Sequence, residues 1–275
     1  MKKIRVMVDG LDGLPENIAM EVAKAINHSP DMELVPFGMT GPDTEMDMVM
    51  INDLPIKLFK PHQTMSLITY LEGRHPDVTC NYTLPGAIKK CVDLYTTLRL
   101  PFILGTTGGD LLSIKNLVAE SSINAIVAAN TVKEIVAVQM MIKHLAESAP
   151  LLFKDYYLQI TESHQSTKVD TSETAKEMIS MFNQLGIKFT VDPIVKKKSE
   201  KDYAKRNEHW GGHGYHTYSL KKKDGSIVFE FTHNINDQPD VNETLDAIRF
   251  LHKNESTQIV GGGGKVFSME DVLKG

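Results

Sequence analysis

The chain has 275 residues, 41% of them hydrophobic and 24% charged, with a formal net charge of -5; that is apolar material for one large or two ordinary globular domains, and the acidic balance gives no reason to expect nucleic acid as a partner. Two cysteines, Cys80 and Cys91, make no disulfide framework and fit a reducing compartment. The apolar run behind Lys2-Lys3 is too short for a signal peptide or a membrane span, so the expected location is the cytoplasm.

Ile4 to Val8 reads as a buried strand by its length and β-branching. Asp9-Gly10-Leu11-Asp12-Gly13-Leu14-Pro15 breaks it, and Pro15 suits a first helical position. Ile18, Met20, Val22, Ala23, Ala25 and Ile26 follow at helical spacing. Strand, glycine turn and helix in that order begin a dinucleotide-binding unit, because glycine lets the backbone approach a pyrophosphate at a helix N-terminus. Gly10, Asp12, Gly13 and Leu14 are the candidates for that turn. Glu16 stands where a third glycine is expected, and its carboxylate would repel phosphate; an ordinary strand–helix turn is the plain alternative.

Glu33 to Phe37 reads as the second strand. Where a site for NAD carries an acid to hold the ribose hydroxyls, this chain has Phe37-Gly38-Met39-Thr40. Phe37 is therefore placed beside the cofactor, and NADPH is favoured with NADH still open. No arginine is near to clamp a 2′-phosphate. Asp43 to Lys60 reads as a hairpin, Met46 to Ile51 and Ile56 to Phe59, turning at Asn52-Asp53. Val78 to Tyr82 is the next strand and Gly86 to about Thr97 the next helix. Phe102 to Leu104 is a strand that runs into Gly105-Thr106-Thr107-Gly108-Gly109-Asp110, a turn that allows close backbone approach to a flat ring or a phosphate. Helix Leu111 to Ser121, strand Ala125 to Ala128 and then Ala129-Asn130-Thr131 complete the alternation. It predicts a doubly wound parallel sheet with sites at the strands' C-terminal ends. Val132 to Ala149 is a long helix closed by Pro150.

The second half reads differently. Leu158 to Thr161 is strand, and Ser172 to Leu185 is helix. The polar segment between them holds two proton donors, His164 and Lys168, and leads to Ser172 and Thr174 at a helix start. The unpaired N–H groups and positive dipole end of a helix start suit an anion. Together they make a site for protonating a negatively charged substrate; a solvent-facing connection is the bland alternative. Phe189 to Lys196 reads as another strand. His213 to Leu220 and Ile227 to Asn234 alternate as an antiparallel hairpin. These elements imply an α+β second domain with a mixed or antiparallel sheet, one face of which suits packing on another subunit. His209, His213 and His216 have no Cys, Asp or Glu at ligand spacing, so no metal is expected. Gly261 to Gly264 reads as a flexible connection between helix Thr244 to Lys253 and helix Met269 to Leu273.

With these residues in view, the chain resembles the dihydrodipicolinate reductase (4-hydroxy-tetrahydrodipicolinate reductase) family, its plant-like branch in particular. The likeness runs nearly end to end. It is carried by Asn81-Tyr82-Thr83-Leu84-Pro85, Leu100-Pro101-Phe102 with the Gly105–Asp110 turn, and Thr161-Glu162-Ser163-His164-Gln165 with Lys168, Asp170, Ser172, Thr174 and Ala175. Gly212-His213 with His216, Phe229-Glu230-Phe231 with His233-Asn234, and Met269 to Leu273 add to it. Several matches in order are more specific than any one motif.

The resemblance implies an α/β fold. A Rossmann-like dinucleotide-binding domain would span residues 1–131 and 240–275, and a substrate-binding and oligomerisation domain, tetrameric in the family, residues 132–239. It implies reduction of a cyclic dicarboxylate on the route to diaminopimelate and lysine by a nicotinamide hydride. His164 would be the general acid and Lys168 its partner, with Gln165, Ser172, Glu173 and Thr174 around the substrate. Gly10 and Gly13 would face the pyrophosphate, Gly105, Thr106, Thr107 and Gly108 the nicotinamide, and Ala129 and Asn130 its opposite side. The departures from the family are Glu173 for the glycine of Ser-Gly-Thr, Glu16 for the third cofactor glycine, and an arginine-free segment after Asn234. Each lowers positive potential where anions bind. A reductase acting on a different cyclic imine, or a catalytically silent cofactor-binding protein, therefore stands beside the family's own reaction.

Overall fold

The first apolar run folds as strand β1 (Ile4–Asp9), with Val6, Met7 and Val8 fully buried, in a computed structural model that describes residues 2–12, 17–106, 110–128, 132–164, 173–191, 193–197, 214–235, 241–255 and 263–275. Contacts divide the chain into two units, Met1–Thr131 with Asp240–Gly275, and Val132–Pro239. In the first unit, helix α1 (Ile18–His28) has Asn17 as its cap and buries Ala19, Met20, Val22, Ala23 and Ile26; Pro15 lies outside the described residues. Strand β2 (Met32–Leu34) returns parallel to β1.

The strand expected over Glu33 to Phe37 is two strands in two sheets. Val35 still donates its N–H to Val6 O of β1 at 2.9 Å, whereas Pro36, which has no N–H, gives its carbonyl to Lys57 N at 3.0 Å. The chain changes sheets at that proline. Strand β3 (Phe37–Met39) joins the hairpin of β4 (Met48–Ile51) and β5 (Leu54–Phe59) in a three-stranded side sheet, order β3-β5-β4. The hairpin turns at Asn52, which has φ +52°, a left-handed conformation that Asn tolerates. Helix α2 (Thr64–Leu71), which was not expected, follows; then β6 (Val78–Asn81), α3 (Ile88–Leu98), β7 (Phe102–Leu104), α4 (Leu111–Ala119) and β8 (Ala125–Val127) alternate as expected.

The second unit opens with α5 (Lys133–Ser148) and β9 (Tyr157–His164), then α6 (Glu173–Gln184). β9 runs three residues beyond the expected end, so His164 closes a strand and does not sit in a loop. Strands β10 (Val195–Lys197), β11 (Gly214–Lys221) and β12 (Ile227–Ile235) complete a mixed sheet, order β10-β9-β11-β12, with β10 parallel to β9 and the other pairs antiparallel. Leu158, Ile160, Tyr218 and Leu220 of the sheet pack against Ala175, Met178, Ile179 and Phe182 of α6. Phe189, expected on a strand, instead exchanges two backbone hydrogen bonds with the Asn183 side chain, at 2.9 and 3.0 Å, and packs on that core.

The C-terminal segment then completes the first unit. Helix α7 (Asn242–Glu255) buries Leu245, Ala247, Ile248 and Leu251; β13 (Val266–Phe267) adds beside β8, and α8 (Met269–Lys274) ends the chain behind a Ser268–Asp271 capping box. Among the described residues the main sheet is six parallel strands, order β13-β8-β7-β6-β1-β2. The connection before β13 is not a free spacer. A Cβ on Gly264 would lie 2.0 Å from Ile123 O, one on Gly263 2.4 Å from Ala119 O, and Gly264 N donates to Ser121 O at 2.8 Å. Both glycines are there because backbone passes against backbone; Gly261 and Gly262 lie outside the described residues. Among the described residues no helix is long and apolar enough to cross a membrane.

Arg249 ties α7 to the opposite end of the chain. Its guanidinium donates to both carboxylate oxygens of Asp31, at 2.8 and 3.1 Å, and to Asp246 at 2.8 Å. The Arg249 hydrogen bonds, then that from Ser29, hold the Asp31 carboxyl well below the usual carboxylate range. The pair is about two-fifths exposed, so solvent screening limits it to at most about 1 kcal/mol. Arg249→Ala is expected to lower Tm by about 2–4 °C near neutral pH. Because the folded pKa is depressed, the stabilisation is present above the unfolded value near pH 4 and fades as the pH falls below it. Thermal melts at several pH and salt values check this: a deficit that persists undiminished in strong acid contradicts it.

Candidate functional site

In the main sheet β1 has β2 on one side and β6 on the other. The strand order therefore reverses direction between β1 and β6, and in open α/β sheets ligands bind beyond the strand C-terminal ends at such a point. The residues just past those ends are Gly10 and Tyr82-Thr83. Gly10 has φ +96°, and a Cβ there would lie 2.5 Å from the carbonyl carbon of Tyr82. Its N–H donates to Met39 O at 2.8 Å, and its own carbonyl accepts from Asn17 Nδ2 at 3.0 Å. Asn17 Oδ1 meanwhile accepts from Ala19 N at 2.8 Å, capping α1. One side chain thus joins the strand end to the helix start.

Two cavities open here. One, of about 440 Å³, is lined by Gly10, Asp12, Asn17, Tyr82 and Thr83 on one side and by the Gly41–Met46 segment on the other. The second, of about 350 Å³, has a chiefly apolar lining that includes Met39, Pro42, Leu84, Ala87 and Leu94, with Lys90 and Thr64 at its wall. Both volumes lie in the range of small-molecule and cofactor sites. Gly10 and Asp12 line the first cavity; Gly13 and Leu14 lie outside the described residues. Phe37 is a correction. It is 1% exposed, its ring packed edge-on to Tyr70 at 5.2 Å. As a strand residue flanked by helix α2 it belongs to the core, and the cavity wall begins two residues later, at Met39.

The far side of Tyr82 carries the third predicted turn. A Cβ on Gly105 would meet the Tyr82 ring at 2.3 Å, Gly105 N donates to Asn81 O at 3.0 Å, and Thr106 Oγ1 donates to Thr83 O at 2.7 Å. Gly10, Gly105 and Thr106 therefore converge on Tyr82-Thr83. Thr107, Gly108, Ala129 and Asn130 lie outside the described residues. Gly10 and Gly105 both make room for Tyr82, and a group with a pyrophosphate and a flat ring fits the two cavities by their volume and by the Gly10 turn that lines the first.

Beneath the floor lies a polar cluster that the sequence reading missed. Asp9 is fully buried. Its Oδ1 accepts from Met39 N at 2.6 Å and its Oδ2 from the Tyr95 hydroxyl at 2.5 Å. Asn81 Nδ2 donates to the same hydroxyl at 2.7 Å, and Asn81 Oδ1 accepts from Thr83 N and Thr83 Oγ1 at 3.1 and 2.9 Å. Burial, only partly offset by the Met39 and Tyr95 hydrogen bonds, lifts the Asp9 carboxyl to about 7. Burial also raises Tyr95, Cys80 and Cys91, the last to about 11. An acid ending an apolar strand, Val8-Asp9, was the available signal.

In the second unit His164 takes the register position opposite Gly214. Glu162 is 2% exposed, with Lys196 Nζ at 3.8 Å and His216 Nε2 at 3.7 Å; the rings of His216 on β11 and His233 on β12 lie 4.6 Å apart. This row of polar side chains across four strands was not foreseen; an acid two residues before a candidate histidine is its trace in the sequence. Thr174 is buried in the first turn of α6, which Glu173 opens. Gln165, Lys168 and Ser172 lie outside the described residues.

Comparison with known proteins adds a separate line of support. A family model described as dihydrodipicolinate reductase, N-terminus, matches residues 4–131. The chain is 32% identical over 252 residues to the protein of Oryza sativa subsp. japonica named probable 4-hydroxy-tetrahydrodipicolinate reductase 1, chloroplastic, covering 90% of this chain and 73% of that one. It is 32% identical to 4-hydroxy-tetrahydrodipicolinate reductase 1, chloroplastic, of Arabidopsis thaliana, over 98% of this chain and 78% of that one. The dipicolinate-bound dihydrodipicolinate reductase from Paenisporosarcina sp. TG-14 shares the fold, with a TM-score of 0.56 at 18% identity over 98% of this chain and 100% of that one.

Proposed function

The chain belongs to the 4-hydroxy-tetrahydrodipicolinate reductase family, and from that membership we propose that it reduces a cyclic unsaturated dicarboxylate of the diaminopimelate–lysine route with an NAD(P)H hydride. The observation that carries the reading is the glycine-floored cavity at the reversal of strand order, with Gly10 at φ +96° against Tyr82.

The bound dihydronicotinamide would supply the hydride. The Gly10 turn and the apolar wall from Met39 to Leu94 would hold and orient the dinucleotide, and Gly105 and Thr106 would keep its flat ring in place. His164 would deliver the proton as general acid. Lys168 would stabilise charge developing on the substrate, and Gln165, Ser172 and Thr174 would bind it at the start of α6. NADPH is our proposed donor, because no carboxylate stands at the end of β3 and Lys90 lines the cavity. NADH is the second reading, favoured by Asp43 and Glu45 in the adjoining cavity. A homo-oligomer is supported by Ile227, Val228 and Phe229, 53%, 44% and 51% exposed on the edge strand β12. The free buried thiols of Cys80 and Cys91 fit the cytoplasm as its reducing compartment.

The test mixes purified protein with NADPH, or NADH, and freshly generated cyclic dicarboxylate, and follows the reduced-nicotinamide absorbance. Substrate-dependent turnover is expected; none at high enzyme concentration defeats the reading. Glu173, as first residue of α6, favours a substrate with fewer carboxylates as the alternative, and a panel of cyclic imines decides between them.

A further inference from the structure

We propose that Asp9 is a positioning residue that makes dinucleotide binding take up a proton. The inference rests on the reading that the cavities beyond β1, β3 and β6 hold a nicotinamide dinucleotide. Asp9 is the last residue of β1, directly before Gly10, and it is fully buried. Its two carboxylate oxygens reach two different elements that build the site: Oδ1 holds Met39 N at the end of β3, and Oδ2 holds the Tyr95 hydroxyl of α3. Through Tyr95 and Asn81 the same cluster holds Thr83. Met39 and Thr83 both line the apolar cavity, and Gly10 and Thr83 line the other. The carboxyl is thus the hub from which three walls of the site are hung.

The groups packed on Asp9 decide its charge. From α3 they are Tyr95 and Cys91, and from β6 Cys80, each held above its ordinary value by burial first and by Asp9 next. All are neutral near pH 7, and none supplies a positive charge. The β3 contact is a backbone N–H. The carboxyl therefore titrates near neutrality, at about 7, when the site is empty. A pyrophosphate seated on the Gly10 turn is an anion close to this carboxylate, and in a poorly screened interior the pair repels. The neutral acid is favoured when the dinucleotide is bound, so its pKa rises on binding. By linkage, affinity is greatest at low pH and falls as the pH climbs through the free value toward the bound one. An upward shift of about one unit corresponds to up to about tenfold in affinity.

The experiment titrates the full-length protein with NADH, which has no 2′-phosphate of its own to titrate, from about pH 6.5 to 8.5. Wild-type Kd is expected to rise roughly fivefold over that range. Calorimetry in two buffers of different ionisation enthalpy should show about half a proton taken up per NADH near pH 7.5. Asp9→Asn keeps an oxygen for Met39 N and carries no charge, so its Kd should stay flat and its proton uptake vanish. A Kd for the wild type that does not change with pH, or an Asp9→Asn protein with the wild-type slope, overturns the proposal while leaving dinucleotide binding intact. If the variant does not fold, zero proton uptake by the wild type overturns it alone. A protein that takes only NADPH is titrated with NADPH against Asp9→Asn, so that the titration of the 2′-phosphate cancels; binding of neither dinucleotide at any pH overturns both the proposal and the cofactor reading beneath it.

Discussion

Replacing His164 by Gln is expected to lower kcat by roughly a hundred- to ten-thousandfold, the range over which a positioned general acid contributes. Glutamine can hydrogen-bond but cannot give up a proton, so the loss should fall on kcat and kcat/KM alike and leave KM little changed. The fold should survive. His164 is the last residue of β9, and the strand is held by its ladder to β11, where Thr161 pairs with Thr217 and Ile160 with Tyr218. Lys168→Met should cost a comparable factor, and the double variant much less than the product of the two, because the residues would act as one proton-handling unit. Steady-state kinetics with the cyclic dicarboxylate, beside an unchanged melting curve, is the check. A kcat within about threefold of wild type for the His164 variant removes that residue from the chemistry.

Gly10→Ala should be the most damaging change in the first unit. The position has φ +96°, where an L side chain costs on the order of 1–3 kcal/mol. The new Cβ would also sit 2.5 Å from Tyr82 C, 2.6 Å from Tyr82 O and 2.9 Å from Thr83 N. These are backbone atoms of the neighbouring strand end, so no side-chain rotation relieves the overlap. β1 and β6 must part locally, at a further cost of about 1–3 kcal/mol. A total near 3 kcal/mol corresponds to a Tm lower by about 6–12 °C. Dinucleotide binding should fall more steeply than stability, since the displaced segment is the floor of both cavities. A melting curve within about 2 °C of wild type would show that the strand ends yield easily and that the glycine is not sterically required.

How far the sequence revealed this molecule depended on whether a signal was local. The Ile4–Val8 run, the helical spacing from Ile18 and the strand–helix alternation up to Ala128 each follow from hydrophobic periodicity, which is a property of neighbours in the chain. The failures are places where a distant partner decides. Phe37 looked like a ribose contact because it ends an apolar run, but Pro36 sends it into another sheet and against Tyr70. The polar end of β9 looked like loop because the partners of its buried Glu162, Lys196 and His216, are polar too. Asp9 was read as part of a turn, and only the folded chain brings Tyr95 and Met39 to it. Gly264 looked like slack, because nothing local says that Ile123 O will lie against it. Of the proposed site, the glycine turns and His164 were visible as composition, and the walls that shape the cavities were not.

The placing of β13 beside β8, and of Arg249 on Asp31, has a consequence for biosynthesis. The ribosome makes the first 131 residues of the unit and must then make 108 more, Val132–Pro239, before the residues that finish its sheet emerge. At ordinary elongation speeds the interval is on the order of ten seconds. Through it the flank of β8 is an unpaired edge, and the α1 surface awaits α7. Nascent chains of this protein should therefore bind chaperones until α7 and β13 have emerged, and chains truncated before Asp240 should aggregate rather than form a working half.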